Sequence, residues 1–215
     1  MAALSSNTAN VIILEDTTQI VSARLFLHQA STGDESSVLK INASALNYRT
    51  LLLQMSGITP YWVGEKLVGN TSGAVGYVVD NPGGSNVVTI TVESGTFQAA
   101  EPLRSEIQKV NTFTISTITT PAYRLDLQSV WFSISGTAKV GVEFANGSAF
   151  GTALLLAGTG YYGRNELQAK LPANSIIPSA NGNLYISTYG VANLGGYSLT
   201  IELKKSSGYA GRPQY

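Results

Sequence analysis

Short apolar runs with a period of two recur along the whole chain. They are rich in Val, Ile, Thr, Tyr and Leu, and clusters of Gly, Asn, Ser and Pro separate them. The clearest are Val11–Leu14, Ile20–His28, Val38–Ile41, Ala74–Val79 and Val87–Val92, followed by Thr112–Ile118, Ser129–Ser135, Ala138–Phe144, Leu184–Thr188 and Tyr197–Leu203. In Ser129–Ser135 the serines oppose Val130, Phe132 and Ile134, leaving Trp131 as the one large residue on the polar side. Val140, Val142 and Phe144 oppose Gly141 and Glu143 in the same manner. Such alternation predicts strands with one buried and one outward face. No amphipathic helix longer than about three turns is apparent. The best helical candidate, Tyr161–Leu171, is stopped by Pro172.

Two flanks echo one another, Asn47-Tyr-Arg-Thr-Leu-Leu-Leu-Gln54 and Ala122-Tyr-Arg-Leu-Asp-Leu-Gln128, and they read as two versions of one strand start. Between them lies a stretch with its own turns, at Asn70-Thr-Ser-Gly73 and Asn81-Pro-Gly-Gly84, bounded by Thr59-Pro60 and Thr120-Pro121. The pattern predicts a jelly-roll-like antiparallel β-sandwich from residues 11–50 plus 121–206. A small β-barrel-like module is inserted at 51–120, with a polar N-terminal arm at 1–10 and a C-terminal tail at 207–215. The polar ends are expected to order on neighbouring molecules as they bind.

Charged residues make up only 12% of the chain, against 44% hydrophobic, so much of the surface must be neutral. The 13 basic and 13 acidic residues cancel without forming like-charge runs, which argues against nucleic acid or an anionic membrane as partner. Little self-repulsion opposes assembly, and a homo-oligomer is expected. The absence of cysteine excludes disulfides, thiolate metal sites and cysteine nucleophiles. Residues 1–10 lack the basic start and apolar core of a signal peptide, and no apolar run is long enough to span a bilayer, so synthesis in a cytoplasm is expected.

Candidate chemistry is sparse. Leu156-Ala-Gly-Thr-Gly-Tyr-Tyr-Gly163 has the spacing of a dinucleotide loop but no following βαβ pattern and no suitably placed acid, so it reads as a glycine-rich turn. Gly69-Asn-Thr-Ser-Gly-Ala-Val-Gly76 lacks the Gly-Lys ending of a phosphate cradle and reads as a hairpin connection. His28 is the sole histidine, with no glycine-flanked serine to serve. Glu15-Asp16 and Asp34-Glu35 are adjacent pairs that diverge on a strand and converge for calcium only in a loop. The Asn-x-Ser sequons at Asn42, Asn70 and Asn146 carry no weight without a secretory signal. No catalytic constellation, metal site or cofactor is expected. The aromatics Tyr61, Trp62, Tyr161, Tyr162 and Tyr189 are the candidates for a contact surface, since Tyr and Trp supply large area at low entropic cost.

Trp62-Val-Gly-Glu-Lys-Leu-Val-Gly-Asn-Thr-Ser-Gly-Ala-Val-Gly-Tyr-Val-Val79 resembles a small β-module of tailed-phage structural proteins, which reads Gly-Glu, a hydrophobic residue, Gly-x-Thr-Ser-Gly-Ala and then an alternating strand. Ser94-Gly-Thr-Phe97 and Ala100-Glu-Pro-Leu103 resemble its closing turn, departing at Ala100, where glycine is usual, and at Pro102. Leu14–Gln19, Gly33–Val38, Val130–Ser133 and Ile201–Lys205 in the flanking part are similar to phage virion proteins as well. The resemblance implies a non-enzymatic virion component assembled in the host cytoplasm, in the first place a capsid decoration or cement protein bound to the major capsid protein or other virion proteins. A neck or tail accessory protein is the alternative, or a carbohydrate-binding appendage stacking sugars on Trp62 or Tyr161.

Overall fold

The computed structural model describes residues 10–27, 33–83, 85–107, 113–163, 171–191 and 195–213. The chain is all-β and divides into two compact units, residues 1–44 with 123–206 and residues 45–122 with 207–215.

The first unit is a jelly-roll-like antiparallel sandwich. One sheet is ordered β1 (Asn10–Asp16), β2 (Ile20–Leu27), β16 (Tyr197–Ser207), β10 (Arg124–Ile134) and β13 (Thr159–Tyr162), with β14 (Leu171–Pro172) also pairing β10. The other runs β12 (Ala149–Ala157), β11 (Lys139–Asn146), β15 (Leu184–Tyr189) and β3 (Val38–Ile41). Inner faces are β-branched and leucine-rich, as a half-buried pleat favours. Val21, Ala23 and Leu25 of β2, Leu199, Ile201 and Leu203 of β16, and Val140, Val142 and Phe144 of β11 are all fully buried. Helix is limited to a 3₁₀ turn at Ala43–Ala45 and a single turn, α1 (Ala173–Ile176), among the described residues.

Two alternations depart from the simple pattern. In β10 Leu127, Gln128, Ser129 and Val130 are buried in succession, so Ser129 does not face outward as its spacing predicts. Glu143 is also buried, although it lies on the predicted polar side of β11. Its Oε2 accepts hydrogen bonds from Ser37 Oγ at 2.9 Å and Ser187 Oγ at 3.0 Å, which replace the water it gives up. The predicted helix over Tyr161–Leu171 is not formed at either end: Tyr161 and Tyr162 belong to β13 and Leu171 to β14, while residues 164–170 lie outside the described set.

The second unit is a closed ring of six antiparallel strands, ordered β4 (Thr50–Met55), β7 (Val87–Ser94), β6 (Val75–Asp80), β5 (Lys66–Gly69), β8 (Pro102–Ser105) and β9 (Phe113–Thr119). Its interior is filled by Leu53, Met55, Tyr61, Leu67, Val78, Ile90, Phe97, Leu103 and Ile115, among others. Exchanging β4, β5 and β6 for β7, β8 and β9 returns the same ring, so the barrel is built from two equivalent halves. The echo at residues 47–54 and 122–128 is not this repeat. Its first copy leads into β4 of the barrel and its second into β10 of the sandwich.

Candidate functional site

The two barrel halves carry one turn twice. Tyr61-Trp-Val-Gly-Glu-Lys-Leu-Val-Gly69 aligns with Phe97-Gln-Ala-Ala-Glu-Pro-Leu-Arg-Ser105, matching Tyr61 to Phe97, Glu65 to Glu101 and Leu67 to Leu103, all six buried. The backbone repeats as well. Gly64 N donates to Val78 O and Val78 N to Glu65 O, while Ala100 N donates to Ile115 O and Ile115 N to Glu101 O. Gly64 has φ +85° and Ala100 φ +65°, so the turn demands a left-handed residue in both halves and only the first has the glycine suited to it.

Each buried carboxylate latches its own turn and reaches into the other half. Glu65 Oε2 accepts from Trp62 N at 2.9 Å and its Oε1 from the Ser105 hydroxyl. Glu101 Oε1 accepts from Gln98 N at 2.6 Å and Ser72 Oγ at 2.9 Å, and its Oε2 from Ser72 N at 2.9 Å and Thr71 N at 3.2 Å. A Cβ on Gly69 would lie 2.6 Å from Glu101 Oε2, so this glycine clears the space for the carboxylate. Burial opposes ionisation of Glu101, yet the hydrogen bonds from Gln98, Ser72 and Thr71 together outweigh it and hold the carboxyl below the usual range. The Asn70–Gly73 hairpin is therefore held by a carboxylate from the other half.

Residues 208–212 are not a loose tail, as their polar composition suggests, but a strap across the outside of the barrel. Gly208 O accepts from Thr50 N at 2.8 Å and from Thr50 Oγ1 at 3.1 Å, Ala210 N donates to Tyr48 O at 2.9 Å, and Thr91 Oγ1 donates to Ala210 O at 2.7 Å. Two residues further, the Arg212 guanidinium lies 4.0 Å from the centroid of the Tyr77 ring. Thr50, Thr91 and Tyr77 are neighbours across β4, β7 and β6, so the strap advances two residues per strand.

Beside the strap is a cleft of about 330 Å³ lined by Asn47, Tyr48, Tyr77, Thr91, Val92, Glu93 and Arg212. The Tyr77 hydroxyl donates to Glu93 Oε2 at 3.2 Å. Burial, and next the bond to Glu93, raise the Tyr77 pKa against the opposing charges of Arg212 and Lys66. Tyr48 is held at φ +62°, an unusual conformation for an aromatic residue.

The sequence-predicted aromatics are not brought together. Tyr61 is a correction: it is 4% exposed, packs edge-on against Phe113 at 6.0 Å, and has its hydroxyl buried without a hydrogen-bond partner among the described residues. Burial, with the charge of Glu65, raises its pKa to about 12. Its neighbour Trp62 is 71% exposed. Tyr161 packs with its ring tilted 38° against Trp131, its cross-strand partner on the sandwich, at 4.6 Å, and Tyr162 beside it is half-buried. Tyr189 is exposed on the opposite sheet, at the end of β15.

Other candidates resolve into structural roles. Gly158, at φ +67°, turns the chain between β12 and β13, and a Cβ on Gly160 would meet the Phe132 ring at 2.7 Å, so this glycine run serves a turn and close packing. Asp34 and Glu35 diverge. Asp34 accepts from Val191 N and Gly190 N, both at 2.9 Å, which lowers its pKa, while Glu35 pairs with the buried Lys40 at 2.5 Å and accepts from Tyr197 Oη at 2.7 Å. Asp16 pairs with Lys205 at 2.5 Å. Among the described residues no three of His, Asp and Glu gather to hold a metal, and no helix is long and apolar enough to cross a membrane. His28 lies outside the described residues.

No family model, no curated protein and no solved structure matches the chain.

Proposed function

We propose that the protein is a non-enzymatic structural component of a tailed-phage particle, acting by adhesion as a decoration or cement protein on the head. The observation that carries this reading is the apolar character of the sandwich exterior. The margin strand β1 exposes Ile12, Ile13 and Leu14, and pairs only with β2 among the described residues. The second sheet exposes Leu39, Phe150, Leu155 and Tyr189. Open strand edges and large exposed apolar side chains favour association over an isolated existence, and a near-neutral surface does not oppose it. The resemblance of the Gly64-Glu65 to Ala74 segment to phage β-modules points to the same class of assembly.

The major capsid protein is the expected partner, with other copies of this chain beside it. Quantitative mass spectrometry of purified particles tests this. A copy number approaching that of the major capsid protein supports decoration. About a dozen copies, as a cyclic ring would give, moves the protein to the neck or tail, and absence from particles overturns the reading.

A further inference from the structure

We propose that the cleft between the strap and the β6–β7 face of the barrel is a binding site for a neutral saccharide unit. This goes beyond the adhesive role and does not depend on it. The volume of about 330 Å³ falls at the lower end of small-molecule sites. Its chemistry selects the class. Arg212 is donor-only and Glu93 acceptor-only, both exposed and both on the same cleft. The charges of Glu93 and Arg212 cancel, so the cleft carries no net charge that would select a free anion or a free cation. A sugar hydroxyl both donates and accepts, so a ring bearing several of them accepts from Arg212 and donates to Glu93 beside the bond that Glu93 already takes from the Tyr77 hydroxyl. The Arg212 guanidinium carbon lies 4.0 Å from the Tyr77 ring centroid, and a guanidinium engaged through its face keeps its in-plane N–H donors for other partners.

Tyr48, 36% exposed and in the lining, is the residue placed to offer ring surface to the C–H face of a pyranose, while Val92, 7% exposed, adds little beyond the core it belongs to. The left-handed backbone that presents Tyr48 is anchored by the strap through the hydrogen bond from Ala210 N. Conformations of this kind persist only where the surroundings impose them.

Saturation-transfer NMR of the full chain tests the site, with glucose, galactose, mannose, rhamnose and N-acetylglucosamine as probes at millimolar concentration. Transfer is expected to at least one sugar. Glu93→Gln should weaken that binding by about tenfold, the loss expected for one hydrogen bond to a charged group. Tyr48→Gly, which relaxes the backbone while deleting the ring, should weaken it too. Trp131→Ala removes an exposed aromatic of the sandwich, away from the cleft lining, and should leave the signal intact. No transfer to any sugar overturns the proposal, as does transfer lost only in Trp131→Ala. Particle copy number is unaffected by either result, so this proposal and the particle reading fail separately.

Discussion

Ala100 sits at φ +65° where its counterpart Gly64 sits at φ +85°, so one half of the barrel is strained at a position the other half relieves. Ala100→Gly is expected to raise stability by about 1 kcal/mol, read as a higher urea midpoint with unchanged slope, since a left-handed alanine costs roughly that much. Gly64→Ala should do the reverse. Glu101 gives a second prediction. Its folded pKa lies below the ordinary carboxylate value, so its contribution is present above the unfolded pKa and is lost as pH falls through the folded one. Glu101→Gln is expected to cost about 1–3 kcal/mol near neutrality and to flatten the acid limb of a thermal-melt pH profile. An unchanged profile would refute the latch. The carboxylates were legible in the sequence only as Gly-Glu and Ala-Glu pairs ahead of a hydrophobic strand start. Chain spacing does not show that each closes on the opposite half, because that depends on the antiparallel pairing of β5 with β8.

At the scale of elements, period-two alternation located most strands, because side chains facing a single core must alternate. It failed where a strand is covered on both sides, as at Glu143, and where alternation slips, as at Ser129. It also failed at residues 207–213, whose fixed position comes from backbone hydrogen bonds and one stacked guanidinium rather than from an apolar stripe. Tyr61 misled for a related reason: the dipeptide Tyr61-Trp62 places one ring inward and one outward, so adjacency in sequence separated the pair in space. The cleft had no sequence signature, since Tyr48, Glu93 and Arg212 are far apart along the chain. Ending the chain after Ser207 removes the strap hydrogen bonds at Gly208 and Ala210 and should destabilise the barrel by roughly 2–4 kcal/mol. Denaturant melts followed through a probe confined to the barrel would measure it, and no shift would show the strap to be ornamental.

For the whole molecule, the predicted insertion at 51–120 compares with a structural unit that takes residues 45–122 and also 207–213. The chain therefore passes between the units three times. Limited proteolysis that nicks both crossings near residues 44 and 122 leaves the strap, covalently continuous with β16, as the described tie to the barrel fragment, and a hold of roughly 2–4 kcal/mol corresponds to a dissociation constant of about a millimolar or weaker. The 45–122 fragment is therefore expected to elute by itself on native size exclusion at micromolar concentration. Co-elution that persists on dilution would show a hold stronger than the strap's hydrogen bonds supply.

The strap also limits how freely this barrel can be moved between proteins. A recombination event, or an engineer, transplanting the contiguous stretch 45–122 would carry the ring and both latches yet leave behind Gly208, Ala210 and Arg212. The recipient would receive a barrel with Thr50, Thr91 and Tyr77 laid bare and the wall of its cleft missing. A working transplant therefore needs a host whose own chain returns to that face, or a circularly permuted cassette that joins 207–213 to Ala45 or Ala122 through a linker.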